Sequence, residues 1–360
     1  MIISRAPVRI SFGGGGTDLP SFYGRYGGQV ISTTINHYVY AILTPGSSQT
    51  VQIVSANYHT FWRQSLDSLA WDGDLELPRA IVHEAQPQQG LDIFLASQIP
   101  PGTGLGSSGS VAVCLINGLA AWQGKPLTPY EVAEMACYIE IEKLGMPIGK
   151  QDQYAAAFGG LNCITFTTEG VTVEPVRMSE ATRLTLERRL MLFYTGSSRQ
   201  SSNILRYQKQ KGEEGDERVL ERLLAIKELG QAIRQSLETG EVDTFGELLH
   251  RSWVQKRALA PHISNDTINQ VYELARSHGA MGGKITGAGG GGFLLLYCHE
   301  AHQEAVTTAL EGVGLRRMGF GFDNYGAQVM HAGESLWTTA PSFREPLQVN
   351  QVMQRTVDVA

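Results

Sequence analysis

Three glycine clusters, at residues 13–16, 102–109 and 279–292, constrain this chain more than any other feature of its sequence. The middle one organises the rest. In Ile99-Pro-Pro-Gly-Thr-Gly-Leu-Gly-Ser-Ser-Gly-Ser110, glycines at the alternate positions 102, 104 and 106 let backbone amides turn toward a ligand with no Cβ in the way, and the serines then open a helix. Val111–Ala121 is apolar on nearly every face, so that helix is expected to be central and buried, with its N-terminal amides facing the loop. This is the layout of an anion-binding helix N-terminus. A Gly/Ser cluster met alone is as often a plain loop.

The first cluster follows a strand over residues 2–11, interrupted at Pro7, and reads Gly13-Gly-Gly-Gly-Thr-Asp18. It permits close approach of the backbone to a ligand, with a carboxylate placed to accept bonds from hydroxyls. A flexible hairpin with Asp18 capping the next turn accounts for the same residues. The third cluster, Gly282-Gly-Lys-Ile-Thr-Gly-Ala-Gly-Gly-Gly-Gly-Phe293, feeds an apolar strand and implies a backbone packed tightly against something.

One carboxylate stands out. On a helix from about Pro129 to Leu144, Glu131, Glu134, Tyr138 and Glu142 share a polar arc, whereas Glu140 falls among Ala133, Ala136, Cys137 and Leu144. A buried carboxylate is costly unless it is paired or binds a metal, so Glu140 is either functional or salt-bridged to Lys143 or Lys150. Shortly after it comes Gly149-Lys-Gln-Asp-Gln-Tyr154, where Lys150 and Asp152 read as a surface pair or as part of the same site.

At 360 residues the chain is long enough for two domains with a cleft between them. With 29 Lys+Arg against 35 Asp+Glu, a formal charge of −6 and no long basic run, nucleic acid is excluded as the expected partner. The four cysteines are widely spaced without a CxxC pair and read as reduced packing residues, which suits a reducing cytoplasm. The N-terminus lacks a signal-like apolar run and no stretch approaches the ~20 apolar residues of a membrane span, so the expectation is a soluble, unexported protein.

The half before residue 106 is strand-led, with β-rich runs at 29–44, 51–55 and 91–97. Beyond residue 179, Leu190–Thr195 reads as a buried strand ending in a polar loop, Gly196–Asn203. The charged stretch Lys209–Glu217 reads as a solvated loop, and 217–237 and 242–259 as a helical hairpin turning at Thr239-Gly240. A helix from Asn265 or Asp266 to Gly279, another over 302–310 and strands around 315–329 complete an α+β pattern. Cys298, His299 and His302 have metal-like spacing, but no second cluster completes a site.

With the three clusters in this order, the chain resembles the GHMP kinases, the family of galacto-, homoserine, mevalonate and phosphomevalonate kinases. Ala6-Pro-Val-Arg-Ile-Ser-Phe-Gly-Gly-Gly-Gly-Thr-Asp18 is similar to the family's first motif, Pro101–Ser108 to its ATP-phosphate loop, and Lys284–Gly292 to its third. Gly-Gly-Gly-Thr-Asp together with Gly149–Tyr154 and Thr286–Phe293 most resembles the branch that phosphorylates D-glycero-D-manno-heptose 7-phosphate at its anomeric hydroxyl. The resemblance implies an α+β, two-domain architecture: an N-terminal ATP-binding domain like ribosomal protein S5 domain 2 over 1–178, a C-terminal ferredoxin-like domain with added helices over 179–333, and a tail over 334–360.

It also implies roles. ATP would be held by Pro101, Gly102, Gly104, Leu105, Gly106, Ser107, Ser108, Gly109 and Ser110, with Mg²⁺ on Ser108 and Glu140. Asp152 matches the family's catalytic aspartate, and Arg9 an arginine that neutralises charge near the acceptor. Lys150 is added here as a cation that keeps Asp152 ionised. Gly15, Gly16, Thr17, Asp18, Gly287 and Gly289 are expected on the acceptor, and Arg199 on a phosphate that the acceptor carries. Galactokinases have Glu-His before Thr-Asp, whereas Gly15-Gly16 here argues against galactose and leaves room for a bulkier or phosphorylated sugar. Gly109, where many relatives have Ala, is expected to loosen the helix start without altering chemistry. A kinase for fucose or an N-acetylhexosamine, and a non-catalytic sensor of sugar and ATP, are the rival readings. A nicotinamide dehydrogenase fits less well, because the third glycine of the dinucleotide pattern is missing. The expected partners are ATP and a small sugar phosphate, with no membrane and no nucleic acid, and a homodimer as one assembly left open.

Overall fold

The computed structural model describes residues 1–46, 49–57, 59–196, 202–331 and 338–339. Strands β1 (Ile2–Gly13) and β2 (Gly28–Pro45) pair antiparallel at the centre of the first sheet, with the short helix α1 (Pro20–Tyr26) between them. Their register shifts between Pro7 and Val8, where proline has no N–H to give the ladder. Strands β3 (Thr50–Ser55) and β4 (Thr60–Ser65) form a hairpin at the sheet edge. After helix α2 (Glu76–Ala85), strand β5 (Leu91–Ser97) inserts between β2 and β3.

Helix α3 (Ser107–Trp122) packs its buried side chains on β1 and β2, as its all-round apolarity requires. Helix α4 (Pro129–Cys137) opens with a capping box in which Thr128 and Glu131 bond each other's backbone amides. The single helix expected over 129–144 instead ends in a π-helical turn over Tyr138–Lys143, whose wider winding closes with the Leu144 N–H on the Ile139 carbonyl at 3.0 Å. Helix α5 (Gln151–Phe158) leads into β6 (Leu161–Phe166), which pairs with β2 and with β7 (Val171–Pro175).

The second half builds a separate antiparallel sheet. Helix α6 (Glu180–Arg189) runs directly into β8 (Leu190–Tyr194). Helix α7 (Ser202–Glu214) occupies most of the charged stretch expected to be a loop. Its inner face buries Ile204 and Gln208, and Lys211 pairs with Glu214 at 2.6 Å, so the charges decorate a helix. Helices α8 (Glu217–Thr239) and α9 (Val242–Arg257) form the expected hairpin about Gly240, which adopts φ 83°. Asn265 caps α10 (Asp266–Ser277), followed by β9 (Ala280–Ile285), β10 (Phe293–Cys298), α11 (Gln303–Gly312) and β11 (Arg316–Met318), with sheet order β11-β8-β10-β9.

The chain then returns to the first sheet. Strand β12 (Phe322–Asp323) pairs with β2 and β13 (Gln328–His331) with β1, while β14 (Thr338–Thr339) adds to β13 inside the stretch read as a tail. Partly buried polar contacts fix this return: the Tyr38 hydroxyl donates to Asp323 at 2.9 Å and Arg5 donates to Gln328 at 3.0 Å. A division at 178 and 333 therefore does not follow the sheets, because the second unit gives its last strands to the first. An apolar cluster also joins the two sheets, with Val8, Ile10 and Phe12 of β1 against Leu229 and Ile233 of α8 and Leu192 and Leu295 of the second sheet. The four cysteines are buried and unpaired. Among the described residues no helix is long and apolar enough to cross a membrane.

Candidate active site

The three glycine clusters meet in one cleft at that seam, lined by Gly15, Gly16 and Asp18, by Gly102, Gly104 and Gly106–Gly109, and by Gly287. Close backbone approach is what the glycines provide. A Cβ on Gly104, which adopts φ 82°, would lie 2.5 Å from the Thr286 carbonyl oxygen, and one on Gly287 would lie 2.5 Å from the Gly104 Cα.

On one side of the cleft, Gly106 in the left-handed region caps α3. The amides of Ser107, Ser108 and Gly109 precede the first bond of the helix, which the Ser110 N–H makes to the Gly106 carbonyl at 3.0 Å. Ser110 therefore differs from its expected role. Its amide is used by the helix and its buried hydroxyl donates to the Pro7 carbonyl at 2.9 Å, so it latches α3 to β1. Leu105 likewise anchors the loop, with its side chain in the core and its carbonyl accepting the Arg9 N–H at 2.9 Å. Gly109 does more than loosen the helix start, since a Cβ there would lie 2.8 Å from that of Asp152. The absence of a side chain is what lets α5 close on α3.

Glu140 is fully buried on the π-helical turn. The Ser108 hydroxyl donates to one carboxylate oxygen and the Gln153 amide to the other at 2.5 Å. Neither lysine that could have paired with it does so, because Lys143 bonds Glu84 at 2.8 Å and Lys150 has no ion pair among the described residues. Burial pushes the Glu140 carboxyl up to about 7, partly opposed by the bonds from Ser108 and Gln153 and reinforced by Asp152. A hydroxyl and a buried carboxylate in contact are hard oxygen donors of the kind Mg²⁺ prefers, and the buried Gln153 carbonyl beside them has no partner. The residues fit the ion. Among the described residues no group of three or more His, Cys, Asp or Glu forms a full metal cage, so further ligands would be phosphate oxygens and water.

Asp152, in the first turn of α5, holds the middle of the cleft. The Arg9 guanidinium, 4% exposed, reaches its Oδ1 from Nη2 at 2.6 Å and from Nε at 2.9 Å, while Nη1 donates to the Gly104 carbonyl at 2.6 Å. Arg9 is thus the cation on Asp152, where Lys150 was expected. Lys150 caps α5 and gives its backbone N–H to the Asp18 carbonyl at 3.4 Å.

At the first glycine cluster, Asp18 accepts bonds from the Gly16 N–H at 3.0 Å and from the Gln151 side chain at 3.0 Å; burial and the charge of Asp152 push its carboxyl upward. Thr17 is fully buried, with its hydroxyl between the Gly14 carbonyl at 2.7 Å and the Gln29 backbone, so it shapes the turn and does not face the cleft. Gly289 also differs from expectation: a Cβ there would lie 2.8 Å from Ile263, which makes it a packing position. Arg199 lies outside the described residues.

Two buried cations escaped the sequence reading. Lys256, in the last turn of α9, donates to the Gly287 carbonyl and lines the cleft. Burial and Arg9 push its ammonium down to about 8 against the pull of Asp18 and Asp152. Lys284 donates to the Ser11 carbonyl at 2.7 Å, and burial, Lys256 and Arg9 hold it well below the usual lysine range. Helical periodicity makes Lys256 an ordinary basic residue near a helix end, and nothing in the pattern marks it. An apolar cavity also adjoins the loop at Gly102, Ser107 and Ser108, walled by Leu75, Leu95, Ile99, Val111 and Met146. The α2 stretch that closes it carried no sequence signal.

Comparison with known proteins gives the same placement. The model of the GHMP kinases N terminal domain matches residues 76–160, and that of the GHMP kinases C terminal domain matches 232–314. The chain is 33% identical over 316 residues to a D-glycero-alpha-D-manno-heptose 7-phosphate kinase of Campylobacter jejuni, covering 86% of this chain and 93% of that protein. It is similar to the crystal structure of a D-glycero-D-manno-heptose 1-phosphate kinase from Bacteriodes thetaiotaomicron, with TM-score 0.77, 27% identity and coverage of 93% and 100%. The galactokinase of Lactococcus lactis shares the fold, with TM-score 0.74 at 18% identity over 91% of this chain and 95% of that one.

Proposed function

The chain belongs to the GHMP kinase family and transfers phosphate to a sugar, and from that premise we propose that it moves the γ-phosphoryl group of ATP to the anomeric C1 hydroxyl of D-glycero-D-manno-heptose 7-phosphate. One observation carries the reading: a single carboxylate, Asp152, is ion-paired to Arg9 between the N-terminus of α3 and the Asp18 turn. The relative from Campylobacter jejuni is named for heptose 7-phosphate and the one from Bacteriodes thetaiotaomicron for heptose 1-phosphate; the proposal follows the first, which is 33% identical to this chain.

In this mechanism the apolar cavity beside Ser107 receives the adenine, and the first-turn amides of α3 cradle the phosphates. Ser108 and Glu140 would hold Mg²⁺, which would supply charge neutralisation to the phosphates of the nucleotide. Asp18 accepts a sugar hydroxyl and orients the acceptor, while Asp152 takes the proton of the C1 hydroxyl as it attacks. Arg9 orients Asp152 through two bonds to its Oδ1 and, through its bond to the Gly104 carbonyl, ties the base to the phosphate loop. Phosphoryl transfer requires little covalent chemistry of the protein, and positioning with charge neutralisation supplies most of the rate.

The test is ADP release with a panel of sugars and sugar phosphates. Release fastest with heptose 7-phosphate supports the proposal. Faster release with unphosphorylated fucose or an N-acetylhexosamine would replace the acceptor, and binding of ATP and sugar without release would make the protein a sensor.

A further inference from the structure

We propose that Lys256, the Ser11 hydroxyl and the bare backbone of Gly15 form a subsite for the phosphate that the acceptor sugar already carries. The inference rests on the reading of that acceptor as a sugar phosphate.

The charge arrangement comes first. Neither Lys256 nor Lys284 makes an ion pair among the described residues, although both are more than nine-tenths buried; each ammonium rests on a backbone carbonyl, of Gly287 and of Ser11. A cation kept from water with no counter-charge is costly. The carboxylates that could offset it have other partners: Asp152 is bonded by Arg9, and both oxygens of Asp18 accept bonds from Gly16 and Gln151. With Arg9, three cations lie close enough to perturb one another. The phosphates of the nucleotide have their own donors at the start of α3, so the charge of Lys256 is left for a second anion.

The second observation is independent of charge. The Ser11 Oγ is buried, lines the cleft and has no hydrogen-bond partner. Of the three buried serine hydroxyls without a partner among the described residues, those of Ser4, Ser11 and Ser32, that of Ser11 belongs to a residue lining the cleft, where a ligand can supply the missing bond. Gly15 supplies the space. Its φ is not in the left-handed region, so its backbone alone does not demand glycine. A Cβ there would point at the Ser11 Oγ, 3.6 Å away, and the Lys256 Nζ, 3.8 Å away. A phosphate oxygen entering that space meets an ammonium and a hydroxyl donor together, the charge-assisted recognition that phosphate monoesters require. Gln208, buried on α7, brings an amide to the same wall, with its Oε1 3.6 Å from a Cβ on Gly16.

The experiment compares the full chain with its Lys256→Met, Lys256→Arg and Ser11→Ala variants. The readout is the ratio of kcat/KM for heptose 7-phosphate over that for the unphosphorylated heptose. We expect Lys256→Met to lower this ratio ~10–100-fold, as loss of a charge-assisted bond does, and Lys256→Arg to restore part of it. A ratio unchanged in Lys256→Met, or a loss equal for both sugars, overturns the subsite. Ser11→Ala removes a hydroxyl that bonds nothing in the protein, so it serves where the lysine variant does not fold; it is expected to lower the ratio several-fold, and an unchanged ratio counts against the subsite. A second measurement adds inorganic phosphate to protein saturated with a non-hydrolysable ATP analogue. Phosphate should raise the thermal midpoint of the wild type and not that of Lys256→Met, and no rise in the wild type overturns the subsite. A rise together with no turnover of any sugar phosphate would leave the anion site standing and refute the acceptor reading alone.

Discussion

Asp152 and Glu140 line one cleft yet are held in opposite ways, Asp152 by a guanidinium and Glu140 by a hydroxyl and an amide. Asp152 is paired with the Arg9 guanidinium, which fixes the orientation of the carboxylate proposed as the base. Asp152→Asn is expected to lower kcat ~10²–10⁴-fold while the KM for ATP stays within ~3-fold of wild type, because the amide keeps the shape and loses the proton acceptor. Loss of ATP binding as well would make the residue structural. Glu140 is raised from 4.5 to about 7, so across that interval the folded chain retains a proton that the unfolded chain has released. Its contribution to metal-free stability is fully present below about 4.5 and is lost as pH rises through about 7. Glu140→Gln should flatten that part of the stability profile and, by urea unfolding at pH 8 without metal, be more stable than wild type by roughly 1–3 kcal/mol. It should also raise the Mg²⁺ concentration needed for turnover. An unaltered pH profile would show that Glu140 is not the buried titrating group. The helical wheel reached Glu140 because a carboxylate among alanines breaks a periodic pattern. It could not reach Lys256, since a lysine in a last helical turn breaks none.

At the scale of elements, the active site is a contact between two helices with no room for a methyl group. Gly109→Ala would place a Cβ 2.8 Å from that of Asp152, which pushes α5 away from α3. The expected cost is ~1–3 kcal/mol of stability, with kcat reduced more than the KM for ATP is raised. An alanine variant with unchanged kcat would mean that the two helices adjust without moving the base. Strand and helix types in the first half were legible from β-branched runs and from the apolar segment 111–121. The π-helical turn was not, because its six residues continue the apolar spacing of α4 and differ only in winding. Helix α7 was obscured by its own charges, since its buried positions, Ile204 and Gln208, are too few to produce a clear period.

For the whole molecule, the order of the three glycine clusters along the chain carried most of the architecture. Their convergence did not follow from it, because it depends on long-range packing: the third cluster closes over Gly104, and α9 carries Lys256 across to the first sheet's turn. The return of residues 322–331 to that sheet was equally hidden, as its strands are too short to show a period and are fixed by long-range partners such as Tyr38 on Asp323 and Arg5 on Gln328. The assembled cleft brings together the start of α3, the Arg9–Asp152 pair and the Asp18 turn, and the function proposed for it is transfer to an anomeric hydroxyl. Phosphorus NMR of the product made from ATP and heptose 7-phosphate tests that claim directly. A new phosphorus signal coupled to the anomeric proton, with the 7-phosphate retained, is the predicted result; a new phosphate on any other carbon, or none, would contradict it.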